Sequence, residues 1–249
     1  MPFREIYLDY NASTPVDPRV AAAMRPLLEG AFGNPSSPHW AGSPARAALE
    51  HARGQVADLL GCAGNEVVFT SGGSEANNMA LKGVFFAHRD RGDHIITTAV
   101  EHPAVLAPLR FLEGLGARIT VLPVDGTGRI DPASVEKAIT SRTILVSVMH
   151  ANNEVGTIQP IEAVSRITQA RGVLLHTDAA QSVGKIPTSV AGLGVDLLTV
   201  AGHKLYAPKG VGALYVGTVK TLGVSYRTRY YRSGVSPAGD QEWGGFCAC

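Results

Sequence analysis

Short apolar runs punctuated by Gly, Pro, Asn and Asp recur along the chain, starting at Val67, His94, Arg118, Thr143, Val173, Asp196 and Gly212. Each is of strand length and rich in Val, Ile, Leu and Thr, the signature of strands buried on both faces. Helical segments alternate with most of them. Asp17-Pro18, Ser43-Pro44 and Asp131-Pro132 each place a capping side chain before a proline, which opens a helix because proline's missing N–H is not needed there. The first of these helices is expected to kink at Pro26 and close at Gly30, the second to run to about Leu60 and stop at Gly61, and a further helix to cover 161–171. The alternation predicts an α/β fold, a mostly parallel seven-stranded sheet with helices on both faces. Ile6 to Tyr10 reads as a short extended piece, and Gly33 to Trp40 as an irregular loop.

Composition narrows the class without naming a chemistry. The chain has 249 residues, 45% hydrophobic and 17% charged, enough to bury a sizeable core. A net charge of +1 gives no electrostatic case for nucleic acid or an acidic membrane. No apolar run approaches the roughly 20 residues of a membrane span, and Met1 to Tyr7 carries neither a secretory nor a transit pattern. Three cysteines make neither a disulfide framework nor a four-ligand metal site, so a reducing cytoplasm is expected and no metal. Cys62, just past the Gly61 stop, reads as a small structural thiol.

Two strand ends carry candidate chemistry. The run from Asp196 to Val200 ends abruptly in Ala201-Gly-His-Lys204. At the end of an interior strand, low dielectric disfavours the ammonium ion, so the Lys204 amine is disposed to attack an aldehyde. Lys204 is equally consistent with a lysine reaching to solvent. The run from Val173 ends in Asp178, an acid placed where open α/β sheets bind ligands and able to hold a ring nitrogen protonated. Taken together, Lys204 and Asp178 suit pyridoxal phosphate, one anchoring it and the other making its ring an electron sink. Gly72, Gly73 and Ser74, between a strand and a helix, offer backbone N–H groups to a phosphate, or else form an ordinary turn with Ser74 as helix cap.

Seven segments, Asp9-Tyr-Asn-Ala-Ser-Thr-Pro15, Gly33-Asn-Pro-Ser-Ser37, Thr70-Ser-Gly-Gly-Ser-Glu75, Val100-Glu-His102, His150-Ala-Asn-Asn-Glu154, His176-Thr-Asp-Ala-Ala-Gln181 and Ala201-Gly-His-Lys204, resemble the cysteine desulfurases related to class V aminotransferases, in the branch that includes selenocysteine lyase. The resemblance implies the large domain of a fold type I pyridoxal phosphate enzyme. It implies Lys204 and His102 as catalytic groups, with His102 stacking on the pyridine ring and carrying protons. It implies cofactor contacts from Gly72, Gly73, Ser74, His102, Asn153, Asp178, Gln181, His203 and Lys204. Asn153 and Gln181 are equally plausible as turn formers on their own sequence. The family's reaction takes sulfur from cysteine, or selenium from selenocysteine, leaving alanine, with a sulfur-acceptor protein as a possible partner and a homodimer as the usual assembly.

Two features depart from that pattern. Ala201 stands where many desulfurases have serine, which shifts phosphate binding toward Ser74 and His203. After about Val219 the continuation is unlike the family's, with Arg232-Ser-Gly-Val235 only a faint echo of its arginine motif and Cys247-Ala-Cys249 without other ligands. The expected organisation is therefore an extended segment over 1–15, a cofactor-binding large domain over 16–219 and a poorly ordered tail over 220–249, with the family's small C-terminal domain missing. The rival readings are a catalytically incomplete cofactor-binding remnant acting through a partner, and a related class V lyase or transaminase.

Overall fold

The computed structural model describes residues 5–217, so the expected tail over 220–249 lies outside the described residues. Seven strands, β1 (Val67–Thr70), β2 (His94–Thr98), β3 (Arg118–Leu122), β4 (Thr143–Ser147), β5 (Leu174–Asp178), β6 (Leu197–Ala201) and β7 (Gly212–Val216), form one sheet in the order β1-β7-β6-β5-β4-β2-β3. Helices α1 (Pro18–Gly30), α2 (Gly42–Leu60), α3 (Gly73–His88), α4 (Pro103–Glu113), α5 (Pro132–Ala138), α6 (Ile161–Ala170) and α7 (Val190–Leu193) fill the connections. β2, β3, β4, β5 and β6 pair in parallel. β7 runs antiparallel to both β6 and β1. The cause is the β6–β7 connection, which holds only the 3₁₀ turn Gly202–Lys204 and is too short for a parallel crossover.

The strand side chains divide between two cores with period two. Ile95, Leu145, Leu174, Leu197 and Leu214 join α3 and α4 on one face. Ile96, Val146, Leu175, Leu198 and Tyr215 join α2, α6 and α7 on the other. That is why these strands read as unbroken apolar runs: neither face meets water. Near the carboxyl ends the α3 face turns polar. Buried His176 bridges neighbouring strands, its Nδ1 2.9 Å from Ser147 Oγ and its Nε2 3.1 Å from Thr199 Oγ1. Burial pushes His176 down to about 4, so the ring is a neutral cross-strand link.

Two of the three expected caps fall where the sequence puts them. Asp17 and Asp131 accept from Arg19 N and Ala133 N, each with proline at the first helical position. α1 continues through Pro26 to Gly30, and none of its residues is buried. Residues 6–9 form no strand and are exposed. α2 begins at Gly42, without a side-chain cap from Ser43.

The sheet order carries β1 to the same edge as β6. Thr70 pairs with Gly212, and Gly212 pairs with Ala201, so the turn after β1 and the turn after β6 lie side by side. Contact is close: a Cβ on Gly212 would stand 2.7 Å from both Gly72 Cα and Val200 O. Both are backbone atoms, so nothing flexible can yield. Gly212→Ala is expected to lower stability by about 1–3 kcal/mol through overpacking, read as a lower denaturation midpoint at unchanged m-value; an unchanged midpoint would refute the tight approach.

Candidate active site

β2, β4, β5 and β6 are parallel and β1 points the same way, so the segments after all five emerge along one edge of the sheet. That edge collects Ser74, His102, Asn153, Asp178 and Lys204. α3 is the element that packs across it. Its first residue, Gly73, faces the end of β6, where a Cβ would lie 3.2 Å from Ala201 Cβ. One turn on, the buried Asn77 donates from Nδ2 to Asp178 Oδ2 at 2.7 Å. The start of α3 thus spans the ends of β6 and β5, just before Lys204 and at Asp178.

Asp178 is 6% exposed, with its other oxygen accepting from Ala180 N at 3.0 Å. Among the described residues no lysine or arginine forms an ion pair with it. Its carboxylate is therefore fixed by neutral donors and has no ion-pair partner among the described residues. Asn77 Oδ1 is buried without a hydrogen-bond partner. The sequence reading missed Asn77, although its place four residues after Gly73 puts both on one helix face.

Lys204 ends the 3₁₀ turn after β6 and is partly buried. Burial lowers its amine below the ordinary lysine range, opposed by the charges of Asp178, Glu154 and Asp9. The result is a larger neutral, nucleophilic fraction at a given pH. Burial lowers the His203 imidazole below its ordinary range, with Lys204, Lys209 and His102 adding to the effect, and its Nδ1 lies 3.4 Å from Ser13 Oγ. His102 caps α4: Nδ1 accepts from Ala104 N at 3.0 Å, so in the neutral ring the proton sits on Nε2. Capping the helix and a chemical role are thus compatible in one residue.

At the glycine turn the cap of α3 is Gly72, not Ser74. Ser74 lies inside the first turn, where neither its hydroxyl nor its N–H is needed by the helix. The Glu75 carboxylate accepts from Ser71 N and stiffens the turn. The two amides suggested for ring contacts are otherwise engaged. Asn153 donates to Glu154 Oε1 at 2.6 Å. Gln181 donates to Asn11 O at 2.9 Å and accepts from Lys185 Nζ at 2.7 Å. Cys62 is only partly exposed, and burial pushes its thiol up to about 11, in keeping with a structural role.

The N-terminal segment straps the lysine turn from outside. Thr14 donates to His203 O from its N–H and its Oγ1, both at 2.9 Å. The same Oγ1 accepts from Tyr206 N, and Tyr206 O accepts from Asp17 N, each at 2.9 Å. Thr14 therefore brackets Lys204 on both sides. The strap also holds Tyr206 at φ 59°, a left-handed conformation that costs a non-glycine residue about 1–2 kcal/mol. No local pattern reveals such a contact, because its partners are 189 and 192 residues apart in the chain.

These groups fit pyridoxal phosphate on the structure's own terms. A buried carboxylate without an ion pair stands at one strand end, an amine of lowered basicity stands at the neighbouring strand end, and the N–H groups of a helix start are brought beside them by a glycine.

Residues 6–224 match the Aminotransferase class-V family. The chain is 55% identical over 213 residues to the cysteine desulfurase IscS of Dictyoglomus turgidum (strain DSM 6724 / Z-1310), covering 86% of this chain and 54% of that protein. It is 50% identical over 214 residues to a cysteine desulfurase of Mus musculus, covering 86% and 47%. Among solved structures, a NifS-like protein aligns with a TM-score of 0.84 at 42% identity, over 89% of this chain and 60% of that one. SspA in complex with cysteine aligns at 0.82 and 43%, over 84% and 60%. The chain spans about half the length of the curated relatives it matches.

The strap gives a direct test. Thr14→Val removes the hydroxyl from two hydrogen bonds and leaves the Tyr206 N–H without its acceptor, at an expected cost of about 1–3 kcal/mol, while Thr14→Ser keeps both bonds. Amide exchange at Tyr206 is expected to accelerate at least tenfold in the valine variant and to stay near wild type in the serine variant. Equal exchange in all three proteins would rule out the strap.

Proposed function

The chain belongs to the class V aminotransferase family, and from that premise we propose that it binds pyridoxal 5'-phosphate and supplies the cofactor-binding part of a cysteine desulfurase, taking sulfur from L-cysteine and leaving L-alanine. The observation that carries the reading is the seating of α3, with Gly73 against Ala201 and Asn77 on Asp178. Selenocysteine is the second candidate substrate, chemically alike except at the atom removed.

In this reading the N–H groups at the start of α3, with Ser74 and His203, hold the phosphate. Asp178 holds the protonated ring nitrogen, its position fixed by Asn77 and Ala180 N. Lys204 anchors the aldehyde carbon covalently, its amine made available by burial. Bound there, pyridoxal phosphate supplies an electron sink for the pair released when a bond at the substrate's α-carbon breaks. The Lys204 amine would move the substrate's α-proton, and the Nε2–H of His102 would exchange a proton with the substrate. Asn153 and Gln181 reach the ring only by exchanging their present partners. Cys62, with its thiol at about 11, does not receive the sulfur, so that step falls to a separate sulfur-acceptor protein or to a thiol outside the described residues. A homodimer and a cytoplasmic location belong to the same proposal. Among the described residues no helix is long and apolar enough to cross a membrane.

A second reading is favoured by Cys62 being the one free cysteine among the described residues: a domain that binds the cofactor but turns nothing over without a partner. Two measurements separate the readings. Asp178→Asn keeps the size of the side chain but removes its charge, and is expected to weaken pyridoxal phosphate at least tenfold by absorbance titration; unchanged affinity would sink the role given to Asp178. Alanine release from L-cysteine by the purified, cofactor-loaded chain is expected under the first reading. Binding without alanine favours the second, and a keto acid in its place points to transamination.

A further inference from the structure

Glu101 is 6% exposed and lies in the turn between β2 and α4, immediately before His102. Its Oε1 accepts two hydrogen bonds, from Thr98 Oγ1 at 2.8 Å and from Met149 N at 2.9 Å. The first ties the carboxyl to the end of its own strand. The second ties it to the segment just past β4, which leads into His150 to Glu154. A parallel tie runs from Asn152 Nδ2 to Val100 O at 3.1 Å. The loop bearing His102 is thereby fixed to the neighbouring strand end.

The other oxygen, Oε2, is buried and has no hydrogen-bond partner. An ionised carboxyl would leave half its charge there without solvent or donor, a costly arrangement. Among the described residues no lysine, arginine or histidine hydrogen-bonds to it or forms an ion pair with it. The charged group that acts on it is Asp178, at the end of β5, and it is of like sign. His102 turns its Nδ1 to Ala104 N instead.

We propose that Glu101 is a positioning residue that works as a neutral acid, clamping the His102 loop to the end of β4 while leaving Asp178 as the anion that faces the cofactor. Burial, with Asp178 adding to it, pushes Glu101 up to about 8 against the donors Met149 N and Thr98 Oγ1. The positioning half rests on the cofactor reading above. The protonation half does not, and it is testable without any ligand.

The sign of the pH effect follows from linkage. With a folded pKa of about 8 against an ordinary 4.5, the folded protein keeps a proton that the unfolded chain has lost between those values. Glu101's contribution to stability is therefore greatest below pH 4.5 and is lost as pH rises toward 8. Glu101→Gln keeps the acceptor and the shape but does not titrate. Between pH 4.5 and 8 the folding equilibrium constant of E101Q relative to wild type is expected to rise by two to three powers of ten, roughly tenfold per pH unit, and then to level off.

The experiment is denaturant unfolding of the full chain, wild type and E101Q, without cofactor, from pH 5 to 9, followed by pyridoxal phosphate titrations of wild type, E101Q and E101A at pH 7. A ratio that climbs to pH 8, with E101Q binding within about threefold of wild type and E101A at least tenfold weaker, supports the proposal. A ratio independent of pH overturns it, as does E101Q binding as poorly as E101A. If none of the three binds pyridoxal phosphate, the cofactor reading fails and the pH series alone decides Glu101. Should E101Q not fold, infrared spectra of wild type with ¹³C-labelled glutamate decide the matter: a protonated carboxyl band at pH 7 that vanishes near pH 8 supports the proposal, and no such band at pH 7 overturns it. Labelling glutamate separates this band from Asp196, another acid that burial raises.

Discussion

A helix can begin directly over the end of a strand only where no side chain keeps the two backbones apart. A Cβ imagined on Gly73 would lie only 3.2 Å from Ala201 Cβ, tighter than ordinary contact, and the rest of the site depends on that approach. It places unpaired N–H groups beside the strand that leads to Lys204. It also carries Asn77 one turn deeper, onto Asp178. β7 supports it from below, its Gly212 packed against the Gly72 backbone.

Charge along this edge is sorted by environment. Two acids near this edge are held differently: Asp178 has two donors and no ion pair among the described residues, whereas Glu101 is buried and held far above the ordinary carboxyl range. Burial also lowers two lysines, Lys204 and Lys185, and the charge of Lys204 adds to the lowering of Lys185. Lys185 donates to Gln181, while Lys204 is framed by the strap from Thr14. One amine is thus tied down at its nitrogen and the other is positioned through its backbone.

Much of this was legible in the chain because it is local. The unbroken apolar runs from Val67 to Gly212 predict seven strands, and the residues that follow them, Ser74, His102, Asn153, Asp178 and Lys204, do emerge on one edge. The resemblance to cysteine desulfurases agrees with the relatives found. What stayed hidden depends on tertiary approach. Thr14 looks like one more small polar residue in a loop, and only contact with residues 189 and 192 positions away makes it a strap. Glu101 stands in plain view before His102, but its full burial follows from β4 lying beside β2. Ser74 reads equally well as a cap until the helix is seen to start at Gly73. The orientation of β7 follows from a connection too short to cross over, which strand patterns alone do not register.

The central claim is that this edge is a single crevice in which Lys204, and not its neighbour Lys185, meets an aldehyde carbon. Borohydride reduction of the purified chain with pyridoxal phosphate, followed by peptide mass mapping, addresses it directly. The account expects a stable adduct on Lys204, lost in Lys204→Ala with the fold intact. An adduct confined to Lys185, or a folded protein that takes up no label, would contradict it.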